Sequence, residues 1–286
     1  MATMRRFIGR AALAAVAMYA TPVLLKKTFA PPQRDTSQTP DDLGLPGEQI
    51  WLDSVNGTSL HAWFIPAAEV PAPAVVVLHG WGANGSLLLP IAPHLHAAGY
   101  HALFLDARNH GLSEHDDFSS LPRFAEDLEV GVTWLRGRDD VASVSVAGHS
   151  VGAGAAILAA ARDPEIAAVV SMSAFAHPRE MMTNQLHLTR LPGRVSGGLL
   201  WPVEKIIGHR FDEFAPQHRI QDVECPVLIV HGDADKVIPV KDAFRLFDKA
   251  PNGQVLIVPG GEHAALEAFE PYLDDMVAFL DRHVRD

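Results

Sequence analysis

Residues 144–156 read Val-Ser-Val-Ala-Gly-His-Ser-Val-Gly-Ala-Gly-Ala-Ala, and their order decides the architecture. Val144, Val146 and Ala147 close an apolar run, and small helix-compatible residues follow from Val151, so Gly148-His149-Ser150-Val151-Gly152 is a sharp turn between a strand and a helix. A serine forced into such a turn projects its hydroxyl above the end of a sheet. Glycines flank it because the backbone comes too close to its neighbours for side chains. The bare Gly-x-Ser-x-Gly string is common; the strand before it and the helix after it make Ser150 a candidate nucleophile.

Around this turn the chain alternates. Apolar runs without a polar face recur at 74–78, 100–105, 141–147, 167–172, 226–230 and 254–258, as expected of strands covered on both sides. Helix-like stretches lie between or after them at 85–98, 121–136, 151–162, 240–250 and 263–284. Ahead of these, 49–53 and 59–65 read as two strands joined through Asn56-Gly57, a dipeptide suited to a hairpin turn. The pattern predicts an α/β fold with a mostly parallel, doubly wound sheet of about eight strands. Only 173–222 breaks the rhythm, which is too long for a plain connection and reads as a short helical cap.

A serine hydroxyl is a weak nucleophile until a base takes its proton, and the base must be oriented by a buried acid. Two later strand ends carry suitable residues: His231-Gly232-Asp233-Ala234-Asp235-Lys236-Val237-Ile238-Pro239 and Pro259-Gly260-Gly261-Glu262-His263. With these motifs in this order, residues 48–284 resemble the α/β-hydrolase fold superfamily, in its esterase, lipase and peptidase-like branch. The resemblance implies Asp235 as the acid, favoured over Asp233 by the spacing to Pro239, and His263 as the base. His79-Gly80-Trp81-Gly82 looks like the family's oxyanion loop, which implies the backbone N–H groups of Trp81 and Val151 as donors. Asp106-Ala107-Arg108-Asn109-His110-Gly111-Leu112-Ser113 resembles a further turn of the family, with Asn109 where glycine is usual.

The implied activity is cleavage of carboxylic ester, or thioester, bonds through a Ser-His-Asp triad and an acyl-enzyme. The substrate expected is a small-molecule ester with an apolar acyl or alkyl group, since the cap region carries Met172, Phe175, Met181, Met182, Leu186, Leu188, Leu191, Leu199, Leu200 and Trp201. An aminopeptidase-like enzyme with the same triad is the alternative, and it needs an amine anchor such as Glu180, Glu204 or Glu213. A non-catalytic binding protein predicts a degraded triad, against which the complete set speaks. No cofactor is required. His149 reads as a packing or supporting residue.

Composition narrows the rest. Lys plus Arg number 23 against 34 Asp plus Glu, a net charge of −11, which disfavours a nucleic-acid partner. Cys225 stands alone, so no internal disulfide or Cys-based zinc site forms, and it reads as a buried inert thiol. His94-x-His96 lacks a carboxylate at ligand spacing and reads as ordinary surface histidines, so no metal is expected. Residues 1–30 hold Arg5, Arg6, Arg10, Lys26 and Lys27 and no acid, around an apolar run at 11–25. That is the pattern of an N-terminal signal or membrane anchor. It predicts an exported or membrane-anchored protein, associated with the bilayer through residues 8–25. The Pro- and Gly-rich stretch 31–47 reads as a linker to a domain over 48–286.

Overall fold

The computed structural model describes residues 30–32, 34–190 and 193–284. The leader expected at 1–30 lies outside them, apart from Ala30. Among the described residues, no helix is long and apolar enough to cross a membrane.

Eight strands form one sheet: β1 (Glu48–Asp53), β2 (Ser59–Ile65), β3 (Ala72–Leu78), β4 (His101–Leu105), β5 (Val141–His149), β6 (Val169–Met172), β7 (Val227–Gly232) and β8 (Gly253–Val258). Their spatial order is β1-β2-β4-β3-β5-β6-β7-β8. β1 and β2 form the predicted antiparallel hairpin, β2 is antiparallel to β4, and every later pairing is parallel. The hairpin turns through a short 3₁₀ segment, Val55–Gly57, with Gly57 at φ 72°.

The apolar runs lack alternation because both sheet faces are covered. In β3, Ala74, Val76 and Leu78 join one core layer while Val75 and Val77 join the other. The first layer contains side chains of α2 (Leu121–Arg136) and α3 (Val151–Ala160), such as Phe124, Leu128 and Ile157. The second contains Leu95 of α1 (Ala92–Ala97) and Met276, Phe279 and Leu280 of the C-terminal helix (Leu273–Val284). Burying one Val or Leu fully contributes roughly 1.5–3 kcal/mol, so β3 is an anchor of the domain.

Between β6 and β7 the described residues carry short helices, α4 (Pro178–Gln185), α5 (Gly193–Ile207), α6 (Phe211–Phe214) and α7 (Pro216–Arg219), in the region read as a cap. After it come α8 (Lys241–Phe247) and α9, the C-terminal helix just described.

One expectation needs correction. The stretch 263–284 is not one helix: 3₁₀ turns occupy Leu266–Ala268 and Glu270–Tyr272, and α9 starts only at Leu273. Pro271 has no backbone N–H for a helical hydrogen bond, and the helix begins beyond it. The stretch 31–47, read as a linker, makes contacts with the domain among its described residues. Asn84 Nδ2 donates to the carbonyls of Arg34 and Asp35, the Ser37 N–H donates to Ser86 Oγ, and Gln38 Nε2 donates to the Ser86 carbonyl. Pro32 packs on Gly82, and Leu43 and Leu45 rest on the second core layer. The segment is an arm laid along the domain.

Candidate active site

Parallel α/β sheets present ligands at the carboxyl ends of their strands. Four such ends meet here. Ser150 follows β5 with φ 56° and ψ −115°, a left-handed backbone rarely adopted by residues other than glycine. The surroundings hold it there: its N–H donates to the Met172 carbonyl, and its own carbonyl accepts from the Gly154 N–H. A Cβ on Gly148 would run into the Gly152 carbonyl, and one on Gly152 into the carbonyls of Leu78 and His79. Both glycines are therefore fixed by close backbone approach, as the sequence predicts.

Ser150 Oγ lies 3.0 Å from His263 Nε2, and His263 Nδ1 lies 2.7 Å from Asp235 Oδ2. The carboxylate fixes the tautomer: Nδ1–H donates to Asp235, leaving the Nε2 lone pair for the serine hydroxyl. The other Asp235 oxygen accepts from the N–H groups of Val237 and Ile238, each at 2.8 Å. Burial alone would raise the Asp235 pKa, but hydrogen bonds from His231, His263 and the Ile238 N–H outweigh it and hold the carboxyl well below the usual range. Asp233 points elsewhere, accepting the Gly260 N–H at 2.7 Å.

The residue before the serine supports this relay. His149 is buried, and its Nε2 bonds the backbone carbonyl of His263 at 2.9 Å. Burial, and then the neighbouring His263, push its pKa down to about 4, so it is a neutral donor near pH 7. It is not a base for Ser150.

The loop after β3 is braced in the same manner. His79 is fully buried, with Nδ1 2.7 Å from the Gly80 carbonyl and Nε2 accepting the Ala107 N–H at 3.1 Å. Asp106 accepts the N–H groups of Gly85 and Leu112 and bonds His61 Nδ1 at 2.8 Å. Asn109 takes φ 65° in this turn, a conformation asparagine tolerates better than most residues. Its side chain bonds Ser119 Oγ and the Asp116 N–H. The departure from glycine is absorbed locally. The Trp81 N–H meets no acceptor among the described residues, and Val151, as the first residue of α3, has no helical carbonyl to receive its N–H. Both belong to the wall around Ser150.

These residues open into a cavity of about 400 Å³, within the size range of small-molecule sites. Of the cap residues named from sequence, Phe175, Met181, Met182 and Leu186 line it. Met172 and Leu200 are buried in the core instead, Leu188 packs against the core, Leu199 and Trp201 are exposed, and Leu191 is outside the described residues. The sequence reading missed Val203, Ile206, Phe211 and Phe214 of the cap, and also Arg34 of the arm. Helical spacing on α5 was the available clue to Val203 and Ile206. The candidate amine anchors are engaged elsewhere: Glu180 pairs with Arg245, Glu204 with Arg179 and Glu213 with His209.

His94 bonds Asp274, and His96 bonds the Pro66 carbonyl. A different trio, His177, Asp212 and His218, has potential ligand atoms within 4.8 Å of one another. There, His177 Nδ1 accepts the Arg179 N–H, so Nε2 carries the proton and donates to Asp212 at 2.9 Å. That tautomer suits a hydrogen-bonded pin between α4 and α6. Cys225 is half-buried, and burial raises its thiol pKa to about 11.

An open, mostly parallel eight-stranded sheet bearing a strained serine between β5 and α3 defines the class: the chain has the α/β-hydrolase fold. The profile of the family described as serine aminopeptidase, S33 matches residues 69–207. Among curated relatives, an uncharacterized Mycobacterium tuberculosis protein is 29% identical over 76% of this chain and 72% of its own length. The protein YfhR of Salmonella typhimurium is 28% identical over 93% of this chain and 91% of its own. Among solved structures, the Pyrococcus furiosus esterase Pf2001 superimposes with a TM-score of 0.71 at 21% identity, covering 89% of this chain and 97% of that one.

Proposed function

We propose that this protein is a serine hydrolase that cleaves carboxylic esters, thioesters included, of small molecules with an apolar acyl group. The observation that carries the reading is the continuous relay from Ser150 Oγ through His263 to Asp235 at the wall of an apolar cavity. His263 Nε2 takes the hydroxyl proton as Ser150 Oγ attacks the ester carbonyl carbon. Asp235 stabilises the imidazolium, and the N–H groups of Trp81 and Val151 receive the developing oxyanion. The proton passes to the departing alcohol, and water, deprotonated by His263, releases the acid from the acyl-enzyme. No step calls on a cofactor.

The superfamily match includes a profile described by an aminopeptidase, which keeps the peptidase reading as the second one. The need for an amine anchor weighs against it, since among the described residues no Asp or Glu lines the cavity. Export or membrane attachment through residues 8–25 remains part of the proposal, and fractionation of full-length protein tests it.

Fluorophosphonate labelling of wild type and Ser150→Ala, followed by matched ester and amide substrates, tests the function. Wild type labels and turns over esters faster than amides, and Ser150→Ala loses labelling and about 10⁴–10⁶ in rate. Labelling that persists in Ser150→Ala overturns the assignment, and faster amide turnover promotes the peptidase.

A further inference from the structure

The arm that reads as a linker brings the site a fixed charge. Pro32 sits on Gly82, and Asn84 holds the Arg34 and Asp35 carbonyls at 3.0 and 3.2 Å. Arg34, held beside the loop that carries Trp81, therefore lines the cavity together with the apolar cap side chains. Its guanidinium has no ion-pair partner among the described residues, and Asp35, next in the chain, is exposed and does not line the cavity. Among the described residues no acid lines the cavity wall. A guanidinium is charged at every working pH and offers a fork of donors that fits carboxylate and phosphate oxygens.

We infer that Arg34 is a specificity-determining residue that binds an anionic group on the alcohol portion of the substrate ester. The placement sets the polarity of binding. Met181, Met182, Ile206 and Phe214 give the acyl group an apolar wall. The alcohol portion faces the exposed rim, where Arg34 stands, and leaves through it. A cation beside an apolar, low-dielectric wall attracts anions more strongly than one in open water, and salt weakens that attraction. The inference rests on the ester-hydrolase reading and adds the chemical class of its substrate.

The test uses two esters of one acyl chain, 4-(octanoyloxy)benzoate and its neutral counterpart 4-(octanoyloxy)benzamide, on full-length protein. Its readout is the ratio of their kcat/KM values. Wild type prefers the benzoate by about five- to tenfold at low salt, and the preference shrinks in 0.5 M NaCl. Arg34→Gln brings the ratio near one, Arg34→Glu inverts it, and Arg34→Lys keeps most of it. Comparing 1-octanoylglycerol 3-phosphate with the benzoate then separates sources: faster turnover of the phosphate points to a lipid headgroup, and parity to any soluble anion. A wild-type ratio of one, or a ratio that Arg34→Gln leaves unchanged, overturns the inference while the hydrolase reading stands. If wild type cleaves neither ester, that reading falls and takes this inference with it.

Discussion

His149 Nε2 and the backbone carbonyl of His263 lie 2.9 Å apart, so the residue preceding the serine holds the loop that carries the imidazole. β5 and the loop after β8 are not neighbouring strands, and this bond ties their ends together across the site. Its loss lets the imidazole drift from Ser150. His149→Leu is expected to lower kcat about tenfold with KM little changed, since misplacing a reacting group by about 1 Å can cost 10²-fold. Single-turnover kinetics on a p-nitrophenyl ester read the effect, and an unaltered acylation rate contradicts it.

Acid stability follows from the same histidine. Burial pushes His149 down to about 4, and burial with the neighbouring His79 pushes His110 down to about 3, against about 6.5 in an unfolded chain. Below pH 6.5 the unfolded state binds the protons that the folded state refuses, so stability falls as pH drops from about 6.5 towards the folded values and is flat above. Carboxylates such as Asp235, whose folded value is depressed, act only below about pH 4. Urea midpoints between pH 4.5 and 7.5 are expected to decline on acidification, by less in His149→Gln. A flat profile refutes this.

The two aspartates of one loop should separate cleanly. Asp235→Asn is expected to reduce kcat by 10²–10⁴, because the imidazole loses the partner that fixes its tautomer. Asp233→Asn, whose carboxylate only caps the Gly260 N–H, should stay within about threefold of wild type. Equal losses in both variants count against the assignment of Asp235.

Gly152→Ala tests the packing of the turn. The added methyl meets the carbonyls of Leu78 and His79, and overpacking of this kind typically costs about 1–3 kcal/mol. Thermal melts should show a clear drop, accompanied by loss of labelling at Ser150. A variant as stable and as active as wild type would show that the close approach is not needed.

On the proposed ester-hydrolase reading, the cavity sets chain length. Wild type is expected to favour medium to long acyl chains over acetate in a panel of p-nitrophenyl esters from C2 to C16. Met182→Trp, which fills part of the chamber, should shift the optimum to shorter chains with the acetate rate held. Identical profiles for the two proteins would remove Met182 from the acyl site.

Much of this was legible in the residues. The runs around Val75, Val146 and Leu228 are apolar without alternation because both faces of their strands are covered, and this states a parallel sheet directly. The serine turn announced itself through the two glycines that its backbone contacts demand. The arm did not, because Asn84 and Ser86 hold it through main-chain groups and small polar side chains that leave no periodic trace. The division of the cap was equally hidden: Leu199 is exposed and Leu200 is buried, a distinction set by the face each presents after packing. His149 lay in plain view, but its partner is a carbonyl 114 positions away.

The arm also works as a ruler. Nine residue steps lead from Leu25, the end of the apolar run, to Arg34, and an extended chain covers at most about 3.3–3.6 Å per residue, roughly 30 Å in all. If the basic apolar leader sits in a bilayer, the mouth of the cavity is tethered within that reach of the lipid surface. Lengthening the stretch between Ala30 and Pro32 with flexible residues is the direct way to loosen that geometry.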